Sequence, residues 1–189
     1  MEITKIPFSR LDNYARIPIA FEVRTIFDID LPQNGLGGIH FRERPVTPYI
    51  KDYDLLHSPL TWPLKFDLKN WGLFLAVDEG QAVGGAVVAW NTGGVDILEG
   101  RTDLSVLWDI RVAPERRGRG IGKRLFRQAA AWSKERNCMQ MKIETQNVNV
   151  RACRFYVAQG ARLGDIRRFA YRDDPSVTGE IQLNWYFDC

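Results

Sequence analysis

Residues that bind metals or form disulfides are scarce in this sequence. It has two histidines and three cysteines among its 189 residues. The cysteines Cys138, Cys153 and Cys189 are odd in number and show no Cys-x-x-Cys spacing, so they form no disulfide framework and, with His40 and His57, no zinc pattern. We therefore expect no metal, reduced thiols and a cytoplasmic location.

Long apolar runs are missing as well. No run approaches the roughly 18 residues that a membrane-spanning helix needs, and the opening residues MEITKIPFSR lack the apolar core of a signal peptide. Apolar residues nevertheless make up 45% of the chain and aromatic residues 12%, which is enough to bury a core. We expect one globular domain over residues 1–189 and no membrane partner.

The alternation of apolar and turn-forming segments predicts an α+β chain with a mixed sheet and helices on both of its faces. Two apolar runs around the turn-forming DEGQ predict a hairpin at 72–90, and a run rich in branched residues predicts a central strand at 104–112. Helical spacing of apolar residues predicts a helix from Ile121 to about Arg136. The other expected elements are one or two helices at 8–27, mostly ordered loop at 30–70, a helix at 149–159, and strands at 139–146, 161–172 and 180–187.

The most distinctive segment is APERRGRGIGKRLF, residues 113–126. Residues 111–127 hold seven basic residues against the single acidic residue Glu115, although the net charge of the whole chain is only +3. A positive focus on an otherwise acidic chain suits a compact polyanion such as a nucleotide. Because a strand should end before this segment and a helix begin within it, unpaired backbone N–H groups also point to an anion as ligand.

Familiar nucleotide-binding motifs do not fit this segment. The dinucleotide motif GxGxxG lacks its third glycine because Lys123 stands there, and the Walker loop fails at Arg117 and Arg124. An RNA-binding arginine-glycine tail is disfavoured because the segment sits in an apolar framework without aromatic side chains on which bases could stack. We expect no nucleic-acid partner.

Two other motifs, at a characteristic separation, do match one family. R-x-x-G-x-G runs from Arg117 to Gly122, and Asn-x-x-Ala-x-x-x-Tyr is filled by Asn149, Ala152 and Tyr156. On these residues the chain resembles the GCN5-related N-acetyltransferase (GNAT) family, over roughly residues 70–187. It departs from the family after Gly160, where alanine replaces the usual phenylalanine.

The resemblance implies a GNAT-like fold and direct acetyl transfer from acetyl-CoA to an amine, without a covalent enzyme intermediate. The glycine turn would hold the pyrophosphate, while main-chain groups of Ile110 and Val112 would pair with the pantetheine arm. The Val112 N–H could polarise the thioester carbonyl, and Asn149 would bond the same arm or cap its own helix. The candidate cofactor-binding residues are Ile110, Arg111, Val112, Arg117, Gly118, Arg119, Gly120, Ile121, Gly122, Lys123, Asn149, Ala152 and Tyr156.

Direct transfer needs an acid and a base. The resemblance places the Tyr156 phenol beside the cofactor sulfur, as the acid; the alternative is a core aromatic. For the base, Asp109 stands slightly ahead of Glu144, because a carboxylate on an apolar strand is costly unless it is paired or used. Asp109 could instead pair with Arg111, two residues on along the same strand face, and Glu144 could bond the turn at 146–149.

The acceptor is expected to be a small-molecule amine. Tyr49, Asp52, Tyr53 and Asp54 make an acidic, aromatic segment that suits a cation, although the same residues could form a solvated loop. Within the family, the phrases KIETQNVNVRACRFY, PYIKDYD and GEIQLNWYF are most similar to streptothricin acetyltransferases, which acetylate the β-lysine amine of a cationic antibiotic. Acetylation of protein N-termini or lysines and a non-catalytic acyl-CoA sensor are the alternatives, and a homodimer is compatible with the sequence.

Overall fold

The computed structural model describes all 189 residues, from Met1 to Cys189. The strands are β1 (Glu2–Lys5), β2 (Phe21–Asp30), β3 (His40–Lys51), β4 (Gly72–Asp78), β5 (Gln81–Trp90), β6 (Leu104–Val112), β7 (Gln140–Gln146), β8 (Arg162–Arg167) and β9 (Gln182–Asp188). The α-helices are α1 (Leu11–Ala15), α2 (Trp62–Lys65), α3 (Ile121–Lys134) and α4 (Val150–Ala158). None of them combines the length and the apolar character that crossing a membrane requires.

The strands form a seven-stranded sheet in the order β1-β4-β5-β6-β7-β9-β8 and a separate two-stranded ribbon of β2 and β3. The pairs β1–β4, β4–β5 and β5–β6 are antiparallel, whereas β6–β7 is parallel. The expected α+β class with a mixed sheet is therefore confirmed.

The chain divides into two compact units. The first contains Met1–Ala20, Asp52–Ile143 and Tyr186–Cys189, and the second contains Phe21–Lys51 and Glu144–Trp185. A cluster of buried side chains, among them Tyr14, Trp62, Trp71 and Val87, forms the core of the first unit. A single domain over residues 1–189 stays a prediction.

The hairpin, the central strand and both long helices form as expected. Glu79 and Gly80, with φ of 50° and 77°, turn the chain between β4 and β5 with the left-handed backbone that two-residue hairpin turns need. β6 occupies the predicted residues 104–112, and α3 buries one apolar stripe, which consists of Ile121, Leu125, Phe126, Ala129 and Trp132. Strand β8 ends at Arg167, five residues before the predicted end at residue 172.

The prediction for residues 8–51 is partly wrong. Helix α1 ends at Ala15, and the expected helix at 21–27 is the strand β2. The expected loop at 30–70 contains the 12-residue strand β3, which pairs with β2 from Phe21–Lys51 to Asp30–His40. Pro45 and Pro48 fit within β3 because it has one partner strand, and its outer edge needs no N–H donor.

Candidate active site

Strand β6 loses its parallel neighbour halfway along its length. Its register with β7 runs from Leu104–Gln140 to Leu107–Ile143 and stops there, while its pairing with β5 continues to Val112–Gly84. Ala113 N–H donates to the Val83 carbonyl at 3.0 Å. Because main-chain groups of successive strand residues face opposite edges, Ile110 and Val112 direct theirs away from β5, to the edge that β7 has left.

The turn after β6 is open to an anion. Gly118 and Gly120 have φ of 79° and 78°, and a Cβ on either would meet no heavy atom within 4 Å. Gly120 precedes the first residue of α3, and the first intrahelical bond runs from Arg124 N–H to its carbonyl at 3.1 Å. The backbone N–H groups of Ile121, Gly122 and Lys123 thus lack intrahelical partners, which fits a pyrophosphate at this helix start.

The arginines of this segment differ in what they contact. Arg119 and Lys123 are exposed on the turn and on the first turn of α3. Arg117 instead donates from Nε to the Val112 carbonyl at 2.9 Å and from a terminal nitrogen to the Ala20 carbonyl at 2.9 Å. Its guanidinium therefore lies against main-chain carbonyls.

Arg111 stands at the centre of a buried polar network. Its side chain is 1% exposed and pairs with Asp109, at 2.5 Å, and with Asp54 through two bonds of 2.8 and 3.0 Å. It also donates to the Ile17 carbonyl at 3.0 Å. Burial opposes the charge of Arg111, but Asp109, Tyr14 and Asp54 together outweigh it, so the pKa of the guanidinium is raised above its ordinary value.

Tyr14 completes this network because a glycine makes room for it. Its hydroxyl donates to Asp109 at 2.6 Å, and burial, followed by the Asp109 charge, raises the pKa of the phenol well above its ordinary value. A Cβ on Gly85, which lies opposite Arg111 in the sheet, would come within 2.5 Å of the Tyr14 ring. Only glycine at this position lets the ring pack on β5.

The network bears on three residues singled out in the sequence. The ion pair between Asp109 and Arg111, the alternative to a catalytic role for Asp109, is present. The Arg111 side chain is committed to two carboxylates rather than exposed to a ligand, and Asp54 is held by Arg111 rather than presented to a cation. Ile110 and Val112, whose main-chain groups face the free edge of β6, remain candidates for binding the cofactor.

Glu144, on β7, has a different set of partners. It accepts hydrogen bonds from the Tyr171 hydroxyl at 2.6 Å and from Gln182 Nε2 at 2.7 Å, with a longer contact of 3.5 Å to Gln146. Burial, together with the charge of Glu144, raises the pKa of Tyr171 above its ordinary value, so the phenol stays protonated and donating. All of these donors are neutral.

Helix α4 carries the second motif. Asn149 caps it by accepting from Ala152 N–H at 3.1 Å, which confirms the capping alternative and leaves its Nδ2 donors for other use. Tyr156 is buried, with its ring 5.3 Å from that of Phe155. Burial raises the pKa of the Cys153 thiol to about 12, as fits a small buried side chain.

The expected acceptor residues are spread over two elements. Tyr49 lies on β3 and is 41% exposed, whereas Asp52 caps a short turn by accepting from Asp54 N–H at 3.0 Å, and Tyr53 opens that turn. Nearby in sequence, Lys51 pairs with the buried Glu180 at 2.5 Å. Of the two acidic residues in the acceptor hypothesis, Asp54 is thus already paired with Arg111.

Tyr14, Tyr171 and Gln182 are site residues that sequence reasoning missed. Tyr14 is 95 residues from Asp109, and Tyr171 and Gln182 are 27 and 38 residues from Glu144. No local pattern marks such partners. A tyrosine within the supposed strand 161–172 gave no sign that it would lie in a turn and reach a carboxylate.

The mixed sheet and the open glycine turn at a helix start agree with the acyltransferase fold and cofactor site that the resemblance implies. The strand edge that β7 leaves agrees with them as well. The model of the acetyltransferase (GNAT) family matches residues 40–161. The chain therefore belongs to this family and is an acetyltransferase, as the two motifs predicted.

Similar proteins share more than the family core. The chain is 30% identical to a streptothricin acetyltransferase of Escherichia coli, over 88% of this chain and 84% of that protein. It is 28% identical to streptothricin acetyltransferase A of Bacillus subtilis (strain 168), over 82% of each. A solved structure from Bacillus anthracis str. Ames, assigned as a streptothricin acetyltransferase and in complex with acetyl coenzyme A, has a TM-score of 0.77 and 26% identity, covering 100% of this chain and 97% of that one.

Proposed function

We propose that this acetyltransferase transfers the acetyl group of acetyl-CoA to a primary amine of a small cationic molecule, with streptothricin-type antibiotics as the specific acceptors. The observation that carries the proposal is the extent of the similarity to the E. coli streptothricin acetyltransferase, which covers 88% of this chain. Such coverage must include residues outside the family match at 40–161. The similarity therefore extends beyond the segment that the family model matches.

Acetyl-CoA, the acetyl donor, would be bound mainly by main-chain groups. The N–H groups at the start of α3 and the open turn at Gly118 and Gly120 would hold the pyrophosphate, aided by the charges of Arg119 and Lys123. The Ile110 and Val112 groups on the free edge of β6 would hold the pantetheine arm, together with Asn149 Nδ2. Acetyl-CoA supplies an acetyl group activated as a thioester.

For the proton transfers, we assign the base to Glu144 and the acid to Tyr156. An ammonium of reference pKa about 10.4 must lose a proton before it can attack at neutral pH. A carboxylate bonded only by neutral donors can attract and deprotonate a cation, whereas Asp109 is already paired with Arg111. The Tyr156 phenol would return a proton to the leaving thiolate.

For the acceptor, the proposal keeps the exposed Tyr49 as an aromatic contact for a cation. Asp52 and Tyr53, which form the turn next to Asp54, would also contact the acceptor.

The test is release of free thiol from acetyl-CoA, measured with streptothricin, other aminated antibiotics, polyamines and peptides. We expect kcat/KM for streptothricin to exceed that for the other amines, and Tyr156→Phe to lose roughly a hundred- to ten-thousandfold in kcat. A preference for peptide N-termini would overturn the proposed acceptor. Acetyl-CoA binding without turnover of any amine would instead support a sensor.

A further inference from the structure

The first residue of the R-x-x-G-x-G motif binds main-chain carbonyls. Arg117 donates from Nε to the Val112 carbonyl at 2.9 Å, and from a terminal nitrogen to the Ala20 carbonyl at 2.9 Å and the Ile19 carbonyl at 3.5 Å. The side chain is partly buried in these contacts. One guanidinium therefore joins the end of β6 to the segment at residues 19–20.

The Val112 carbonyl is a significant partner because of where it lies. The N–H and C=O of one strand residue face the same edge, so the Val112 carbonyl and N–H both face the edge that β7 leaves after Leu107. The bond from Arg117 holds the peptide unit between Val112 and Ala113, whose N–H on the other side donates to the Val83 carbonyl. The Val112 N–H belongs to the preceding peptide unit and remains as the donor at this end of the edge.

A second arginine also joins the end of β6 to the segment that follows α1. Arg111, the residue before Val112, donates to the Ile17 carbonyl at 3.0 Å from a side chain that is 1% exposed. Three carbonyls between residues 17 and 20 are thus turned toward two guanidiniums of the β6 end. A planar guanidinium with several fixed donors suits such a bridge, because it can bond two carbonyls at once.

We propose that Arg117 is a positioning residue that anchors the end of β6 to residues 19–20 and thereby places the Val112 N–H, rather than a ligand of the cofactor phosphates. The proposal rests on the proposed function in one respect, namely that the Val112 N–H faces the thioester carbonyl. It predicts that loss of Arg117 harms the acetyl-transfer step whether or not the donor carries phosphate.

The experiment compares two donors. Acetyl-CoA carries the phosphates, whereas S-acetylpantetheine has the same thioester and pantetheine arm without them. For Arg117→Gln we expect kcat to fall on the order of tenfold or more with both donors, since small misplacements at a reacting centre have such effects, while KM for acetyl-CoA changes little. Arg117→Lys keeps the positive charge but loses the planar guanidinium that bonds two carbonyls at once, and it should behave like Arg117→Gln.

Two other variants and a second readout make the test specific. Arg119→Gln, on the exposed turn, should mainly raise KM for acetyl-CoA, and Arg116→Gln, which removes a contact with Asp78, is the neutral control. Hydrogen exchange of peptides covering residues 17–20 and 110–113 should speed up in Arg117→Gln and stay unchanged in Arg116→Gln. This readout needs neither donor nor acceptor.

The result that would overturn the inference is a rise in KM for acetyl-CoA alone, with full activity on S-acetylpantetheine, full rescue by lysine, and unchanged exchange. Loss of activity explained entirely by unfolded protein in Arg117→Gln would also overturn it. Failure of the wild-type protein to acetylate streptothricin would remove the proposed acceptor and leave the exchange experiment valid.

Discussion

At the scale of single residues, the two candidate bases, Asp109 and Glu144, differ in whether their hydrogen-bond partners carry a charge. Asp109 is bonded to a buried cation and to Tyr14, whereas Glu144 is bonded to Tyr171 and two amides. A paired carboxylate stabilises the fold through its charge, while one held by neutral donors keeps that charge for chemistry. On this ground we propose Glu144 ahead of Asp109 as the base, the reverse of the sequence-based order.

We expect Asp109→Asn and Glu144→Gln to fail in different ways. Asp109→Asn leaves the Arg111 guanidinium, 1% exposed, with Asp54 as its one carboxylate partner, and should cost about 2 kcal/mol in the free energy of unfolding because buried hydrogen bonds to a charged group are weakened. Glu144→Gln should lower kcat by about a hundredfold or more, as loss of a general base does. Urea titrations measure the first effect, and kinetics per folded molecule measure the second.

The control for stability is Asp12→Asn. Asp12 forms an exposed pair with Arg16 at 3.5 Å, and its loss should change stability by less than about 0.5 kcal/mol. A larger loss of kcat per folded molecule in Asp109→Asn than in Glu144→Gln would return the base assignment to Asp109.

At the scale of elements, local patterns predicted β4, β5, β6, α3 and α4 because each has a signal within its own span. Gly80 turns the hairpin and Pro114 follows the end of β6. Strand β2 also had such a signal, since Phe21, Val23, Thr25, Phe27 and Ile29 alternate with mostly charged residues. The aromatic and branched residues of β2 were interpreted as one face of a helix, and the prolines of β3 as loop markers.

The glycine turn allows a matched test of its binding role. Gly120 and Gly80 have nearly the same φ, 78° and 77°, and a Cβ on either meets no heavy atom within 4 Å. Replacement of either by alanine should therefore cost a similar amount of stability, about 1 kcal/mol, from backbone strain alone. Only Gly120→Ala places a methyl group at the proposed phosphate site.

We expect Gly120→Ala to raise KM for acetyl-CoA several-fold and Gly80→Ala to leave it unchanged. Steady-state kinetics with varied acetyl-CoA measure this difference, and thermal unfolding checks that the two variants are equally stable. Equal KM values in the two variants would place the phosphates elsewhere.

At the scale of the whole molecule, motif spacing was enough to predict the family and the mixed sheet, but not the network around Arg111. Its partner Asp54 lies 57 residues away, and Tyr14 lies 95 residues from Asp109. From the sequence alone, many acidic residues are possible partners of Arg111. Tertiary packing determines which of them pair with it: Gly85, for example, leaves room for the Tyr14 ring, which donates to Asp109. Such contacts leave no local pattern in the sequence.

The connection before β6 is joined to the sheet by an ion pair that should make the stability of the molecule depend on pH. Lys142, with a side chain 6% exposed, donates to Glu99 at 2.5 Å, and the Tyr186 hydroxyl donates to the same oxygen at 2.8 Å. The hydrogen bond from Lys142 lowers the pKa of Glu99 below its ordinary value of 4.5, against partial burial. The pKa of Lys142 is raised, because its interactions with Glu99 and Tyr186 together outweigh burial.

The direction of the pH effect follows from these shifts. Because the folded chain holds Glu99 ionised below the pH at which the unfolded chain protonates it, this stabilisation is complete above about pH 4.5 and disappears as the pH falls through the lowered pKa. The Lys142 contribution is lost only above its ordinary value of 10.5, outside this range. Urea titrations from pH 7 to pH 3 should therefore show a stability difference between wild type and Glu99→Gln that is largest at neutral pH and shrinks on acidification. Glu135→Gln, at an exposed position, should give a small difference that stays constant, and a constant difference for Glu99→Gln as well would contradict the assigned ion pair.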